Sequence, residues 1–191
     1  NFVSYEFESV DTDSYSATIG FLWQFSELWN LLADVGARYT KSEFAVAGGL
    51  LPDVKDETWG GVVSLNVNYQ GEYNNLGLTV GRDIGAASGR NGAVERTSAV
   101  LTAGWRFAEK SSVSLWAGYY INKADAGELT LVSTDEKTFT VKPSLRCMLS
   151  DAWALEAFYG YSRVEDDSAG TTRDRNMAVL RLLFDYAVLE Y

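Results

Sequence analysis

The chain has 191 residues, a formal charge of −10 and no histidine. So acidic a chain is a poor partner for nucleic acid, whose phosphates need Lys and Arg. The missing histidine excludes Ser-His and Cys-His catalysis and His-based metal sites, and no apolar run reaches the roughly 18 residues of a membrane-crossing helix.

The pattern that fills the chain has a period of two residues. Val3, Tyr5 and Phe7 alternate with Ser4, Glu6 and Glu8, and Asp11 to Asp13 read as a short linker. Asn1 opens almost directly into this first strand, as a mature or trimmed chain would. From there Tyr15, Ala17, Ile19, Phe21, Trp23 and Phe25 form one face, and Ser14, Ser16, Thr18, Gly20 and Gln24 the other. Trp29 to Tyr39 and Trp59 to Tyr69 repeat the alternation, and a weaker strand carries Leu76, Leu78 and Val80. Ala99 to Phe107 and Val113 to Ile121 follow, then Phe139 to Leu149, Trp153 to Tyr161 and Ala178 to Tyr186. A strand sends successive side chains to opposite faces, so each segment has one apolar and one polar face. The reading is all-β: about ten strands of about 9–12 residues each, the length that spans a bilayer when tilted.

The connections alternate in length. Short turns stand at Ser26-Glu27, Gly71 to Asn74, Glu109 to Ser111 and Ser150-Asp151; longer polar stretches stand near 43–57, 83–96, 123–136 and 163–175. Short periplasmic turns and longer extracellular loops are the asymmetry of an antiparallel transmembrane β-barrel. With only 2 Pro against 17 Gly, the composition also suits such a wall. Aromatics belong at the headgroup level, where a ring is half apolar and half wet. Trp23, Trp29, Tyr69, Trp105 and Trp153 are assigned to the periplasmic girdle. Tyr39, Trp59, Tyr119 and Tyr161 are assigned to the outer one, and Tyr186 is a further interface aromatic.

A β-sandwich also alternates. Here the apolar faces are aromatic at both strand ends and small or aliphatic in the middle, whereas a globular core puts its bulk in the middle. The opposite faces carry charges far from any turn, Asp34, Lys142, Arg146, Glu156 and Arg181, and Arg38, Arg106 and Asp185 are further candidates for the same face. In a barrel these line a polar interior. If the last hairpin but one centres on Asp151, Arg146 and Glu156 stand directly opposite one another and are expected to pair. In a closed barrel of about ten strands, Trp116, Tyr120, Phe158 and Met148 would partly fill the lumen, and Glu6 or Glu8 would approach Arg181 across the seam.

The ending Ala178-x-Leu180-x-Leu182-x-Phe184-x-Tyr186 resembles the C-terminal targeting strand of Gram-negative outer-membrane β-barrels, although it continues five residues further. The aromatic-flanked acidic turns, such as Phe25-Ser26-Glu27-Leu28-Trp29, resemble the same class. The resemblance implies residence in the outer membrane of a Gram-negative bacterium and assembly by the barrel-insertion machinery. Membrane lipids and lipopolysaccharide are then the expected partners. Residues 1–191 read as a single barrel domain, as the C-terminal part of a larger barrel, or as a wall completed by additional chains or an oligomer.

No catalytic, cofactor or metal residues are expected. The single cysteine, Cys147, falls by alternation beside Leu145 and Leu149 on the apolar face, a poor place for a nucleophile. Gly85 to Gly89 is a glycine-rich tip with no following helix to cradle phosphate. Asp11, Asp13, Asp166 and Asp167 read as solvated tip residues rather than cation ligands. Two functions stay open: a pore or export channel with a charge-lined interior, and a non-conducting anchor with acidic outer loops. Purified protein is expected to show no esterase, protease or acyltransferase turnover. Turnover abolished by a point change on the polar face would overturn this.

Overall fold

The structure is a computed structural model that describes residues 10–44, 54–86, 93–124 and 134–184. They form nine strands: β1 (Val10–Gln24), β2 (Trp29–Phe44), β3 (Val54–Gln70), β4 (Asn74–Ala86), β5 (Ala93–Ala108), β6 (Ser111–Ala124), β7 (Thr134–Met148), β8 (Trp153–Asp166) and β9 (Thr171–Phe184). All nine join one sheet in chain order, each antiparallel to the next. No pairing joins β1 to β9 among the described residues. The strand expected around Val3 to Phe7 lies outside the described residues, as do Glu6, Glu8, Asp185 and Tyr186.

Sequence and structure differ at the loop-side strand ends. The strands run to 13–17 residues, longer than expected. Asp11 to Asp13 are no linker but part of β1, paired with Glu43 to Lys41 of β2. The long connection expected over 163–175 is instead a tight turn, Asp167 to Gly170, between β8 and β9. The physical reason is common to all three. Beyond the apolar zone both faces become polar, as at Arg163, Glu165 and Asp174, so the hydrophobic alternation fades while the backbone ladder continues.

Each tight turn has a local cause. Ser26 Oγ accepts the amide of Leu28 at 3.2 Å, and Ser150 Oγ accepts those of Ala152 at 3.3 Å and Trp153 at 3.2 Å. A side-chain oxygen that takes up turn amides is why Ser sits at these positions. At the β8–β9 turn Asp166 Oδ1 accepts the amides of Ser168 at 3.1 Å and Ala169 at 3.0 Å. Gly170 then closes the turn at φ +61°, a conformation only glycine enters freely.

The sheet buries almost nothing against itself. Among the described residues Ile84 and Ala154 are the buried hydrophobics, while Ile19 is 80%, Trp59 73% and Leu180 70% exposed. So large an exposed apolar surface marks contact with something other than water. The register puts these side chains in one band. On β2 it runs from Trp29 to Tyr39; at about 3.4 Å per residue and a tilt near 40° that is about 26 Å tall. This is the height of the lipid-facing zone of an outer-membrane barrel.

Val35 stands at mid-height in this band, between Ile19 and Val63 on the neighbouring strands, and is exposed. Val35→Arg should cost about 2–4 kcal/mol of folding free energy in a bilayer, whereas Ser64→Arg on the other face should cost well under half of that. Urea unfolding in lipid vesicles checks the contrast, and equal costs would remove the assignment of faces.

Candidate functional site

The register decides which side chains share the polar face. Asp34 lies between Gly20 and Ser64, Arg38 between Ser16 and Gly60, and Arg106 faces Ser112. Lys142 faces Trp116, and Arg146 faces both Ser112 and Glu156. Arg181 faces Glu156 from the far side. All seven are therefore on one face of the sheet, the face opposite the apolar band. The remaining candidate, Asp185, is outside the described residues.

Between these charges the face is a mesh of small polar groups. Ser114 Oγ and Ser144 Oγ are 2.6 Å apart, Thr140 Oγ1 and Ser162 Oγ 2.9 Å. Asn68 donates to Asn30 at 3.1 Å, and Thr79 to Asn66 at 2.8 Å. These cross-strand bonds satisfy polar groups locally, and the polar lining is interrupted by the pairs Leu22–Leu32 and Phe158–Val179.

The charges are unevenly spread. On β5 to β9 the register places Arg96, Arg106, Lys142, Arg146, Arg173, Arg175 and Arg181 on this face, against Glu136, Glu156 and Asp166. Arg96, Arg173 and Arg175 were missed by sequence reasoning. Counting back by twos from Arg181 along an uninterrupted strand reaches the last two; the polar stretch 163–175 reads as a loop instead.

Aromatic rings hold several of these cations. The Arg96 guanidinium lies 4.6 Å from the Tyr120 ring centre, Lys142 Nζ 5.0 Å from Trp116, and the Arg181 guanidinium 5.0 Å from Phe158. The electron-rich ring face attracts a cation without cancelling its charge. Gly118 makes this arrangement possible. A Cβ there would stand 2.6 Å from Trp116 and 2.9 Å from Tyr120, too close for both rings to stay where they are.

The expected contact between Arg146 and Glu156 is corrected in part. The two residues are register partners, as the hairpin count required. Their side chains nonetheless form no ion pair among the described residues. Glu156 has an arginine on each side, and Arg181 has turned toward Phe158. An exposed pair gains little from locking two long side chains into one geometry.

One strand end folds onto this face. β3 and β4 pair from Val63–Arg82 to Gln70–Asn75 and no further, so the end of β4 is released from β3. It crosses over Gly60, where a Cβ would overlap the Ile84 side chain. Arg38 Nη1 fastens it, 2.7 Å from Asp83 and 2.9 Å from the Ile84 carbonyl oxygen.

Charges on the opposite face behave differently. They form a collar beyond the loop-side aromatics and largely pair off. Arg82 meets Glu95 at 2.6 Å, Lys123 meets Asp135 at 3.6 Å, Arg163 meets Glu165 at 2.7 Å, and Lys137 meets Asp167. The aromatics themselves stack across strands. Trp29 and Tyr69 have ring centres 4.9 Å apart at the short-turn end, as do Tyr39 and Trp59 at the loop end. Trp153 also packs on Phe184 across strands at 4.6 Å, whereas Trp105 and Phe107, at 5.8 Å, and Trp23 and Phe25, at 4.4 Å, meet along the chain two residues apart. Cys147 accepts a weak bond from Ser111 Oγ at 3.7 Å and has no base beside it among the described residues.

No family model matches the sequence, and no curated protein matches it either. Solved structures do. The outer membrane channel DcaP of Acinetobacter baumannii matches with a TM-score of 0.54 at 10% identity, over 88% of this chain and 62% of its own. OmpT, an outer membrane protein of Vibrio cholerae, matches at 0.48 and 9% identity over 87% and 63%. A FadL homologue of Pseudomonas aeruginosa matches at 0.47 and 14% identity over 91% and 55%. The chain thus spans about three fifths of the length of the structures it matches. The DcaP likeness, with the antiparallel sheet and its exposed apolar band, identifies the fold as that of an outer-membrane β-barrel.

A double-mutant cycle on Arg146→Gln and Glu156→Gln should give a coupling below about 1 kcal/mol. Unfolding in detergent or lipid measures it. A coupling of several kcal/mol would mean that a tight ion pair forms after all.

Proposed function

We propose that this chain is a stretch of pore wall in the outer membrane of a Gram-negative bacterium, with its apolar band against lipid and its polar face lining a path for water and small solutes. The observation that carries the reading is the polar face itself. It crosses all nine strands, bears charges at mid-height, and has nothing packed against its centre among the described residues. A membrane wall whose inner face stays wet and charged is what an aqueous channel needs.

Width favours the same reading. A closed barrel of about eight strands has an interior just filled by side chains, and the bore grows with strand number. Nine described strands do not close on each other, and the matched structures are longer. The wall therefore fits an arc of a wider barrel, completed by further strands. DcaP, described as an outer membrane channel, is a likeness in keeping with this. The end of β4, fastened over Gly60 by Arg38, narrows such a path near its loop-side mouth. Lipids, with lipopolysaccharide on the outer side, would meet the band and its charged collar, and the barrel-assembly machinery would insert the chain.

The test is conductance. The full-length protein, purified and added to a planar bilayer, should give stepwise current. In a Cys147→Ser background, Ser144→Cys on the polar face should lose current when a charged thiol reagent is added, and Leu145→Cys on the apolar face should not. Absence of any current from folded protein would leave the non-conducting anchor.

A further inference from the structure

We infer that the path along this face prefers anions, and that its solutes are small molecules bearing carboxylate or phosphate groups. The inference rests on the pore reading and adds its selectivity. It runs against the charge of the whole chain, −10, which alone would suggest a path for cations.

The sign of a pore is set by the charges facing it, and here charge is sorted by face. The collar on the outer face pairs its cations with carboxylates, as Arg82 does with Glu95 and Lys123 with Asp135. On the polar face of β5 to β9 the cations outnumber the carboxylates, while on β2 and β4 Arg38 stands against Asp34 and Asp83, so the anion preference belongs to the β5–β9 side of the path. One continuous lateral row reads Arg106, Ser112, Arg146, Glu156, Arg181, three guanidiniums around one carboxylate. Lys142 stands four residues along β7 from Arg146, about 13 Å away, so the row is followed by a second cationic tier.

These cations also keep their charge available. Lys142 and Arg181 lie over Trp116 and Phe158, and neither has a carboxylate within ion-pair distance among the described residues. A ring fixes the position of the cation and leaves its field directed into the path. At physiological salt that field is screened over about 8 Å, so the effect is felt by solutes that pass along the wall. A guanidinium presents a planar fork of donors that fits a carboxylate or phosphate in two-point contact, which is why oxyanions are the class proposed.

Reversal potentials across a potassium chloride gradient read the preference directly, using the full-length protein. The unaltered channel should favour chloride over potassium. Arg146→Gln with Arg181→Gln should lower the anion-to-cation permeability ratio severalfold, and Lys142→Gln alone should lower it by less. Arg146→Lys with Arg181→Lys, which keeps both charges, should restore it and shows that folding is not the cause. A carboxylate solute such as succinate should compete with chloride current in the unaltered channel and compete less in the double glutamine variant. A conducting channel that favours potassium, or a ratio unmoved by the glutamine variants, overturns the anion preference and leaves the pore. Folded protein with no current at all overturns the pore reading itself and this inference with it.

Discussion

Hydrocarbon offers no partner to a backbone amide. Each N–H and C=O that crosses a bilayer must be bonded within the protein, and each one left open costs several kcal/mol or so. In this chain the neighbouring strands meet that demand through long antiparallel ladders, such as the fifteen consecutive pairs from Val10–Phe44 to Gln24–Asn30. Once the ladder is fixed, every side chain has only two places to go. Tyr15, Ile19, Phe21 and Trp23 go to one face and Ser14, Ser16 and Thr18 to the other, and no local packing can reassign them.

The chemistry of the molecule is a consequence of that sorting. Bulky rings gather at the two rims, where they stack across strands as Trp29 does on Tyr69 and Tyr39 on Trp59. Charges that fall on the outer face lie beyond the rims and find partners there. Charges that fall on the inner face lie within the span, as Asp34 and Lys142 do, and toward its ends, as Arg106 and Arg96 do, and several of them are placed by aromatic rings rather than by opposite charges. Aromatic residues thus have two roles on the two faces: anchors toward lipid outside, supports for cations inside.

How much of this could be read from sequence varied with the contrast between faces. Where the outer face is apolar the alternation is plain, and segments such as Trp29 to Tyr39 and Val113 to Ile121 fall inside the strands β2 and β6. The partnership of Arg146 and Glu156 also follows from counting out from a turn centred on Asp151. Reading failed where both faces turn polar, so the outer reaches of β8 and β9 were taken for a loop, and Arg173 and Arg175 with them. Whether two register partners touch could not be read at all. The position of Arg181 depends on the ring of Phe158, a competitor that pairing arithmetic does not contain. The crossing of β4 over Gly60 was equally hidden, since a glycine shows only that room exists and not what fills it.

The single irregularity in the β5–β6 ladder lies between Arg106 and Ala108, at the last residues before the turn. There the strand carries one residue more than its partner, and nothing downstream is displaced. The same extra residue at Leu101 would turn over all that follows it on the strand, sending Trp105 inward and Arg106 toward lipid. Evolutionary drift in chain length is therefore constrained by parity. Within the span, insertions and deletions survive in twos, while odd ones survive only at the rims, where a bulge or a turn can absorb them.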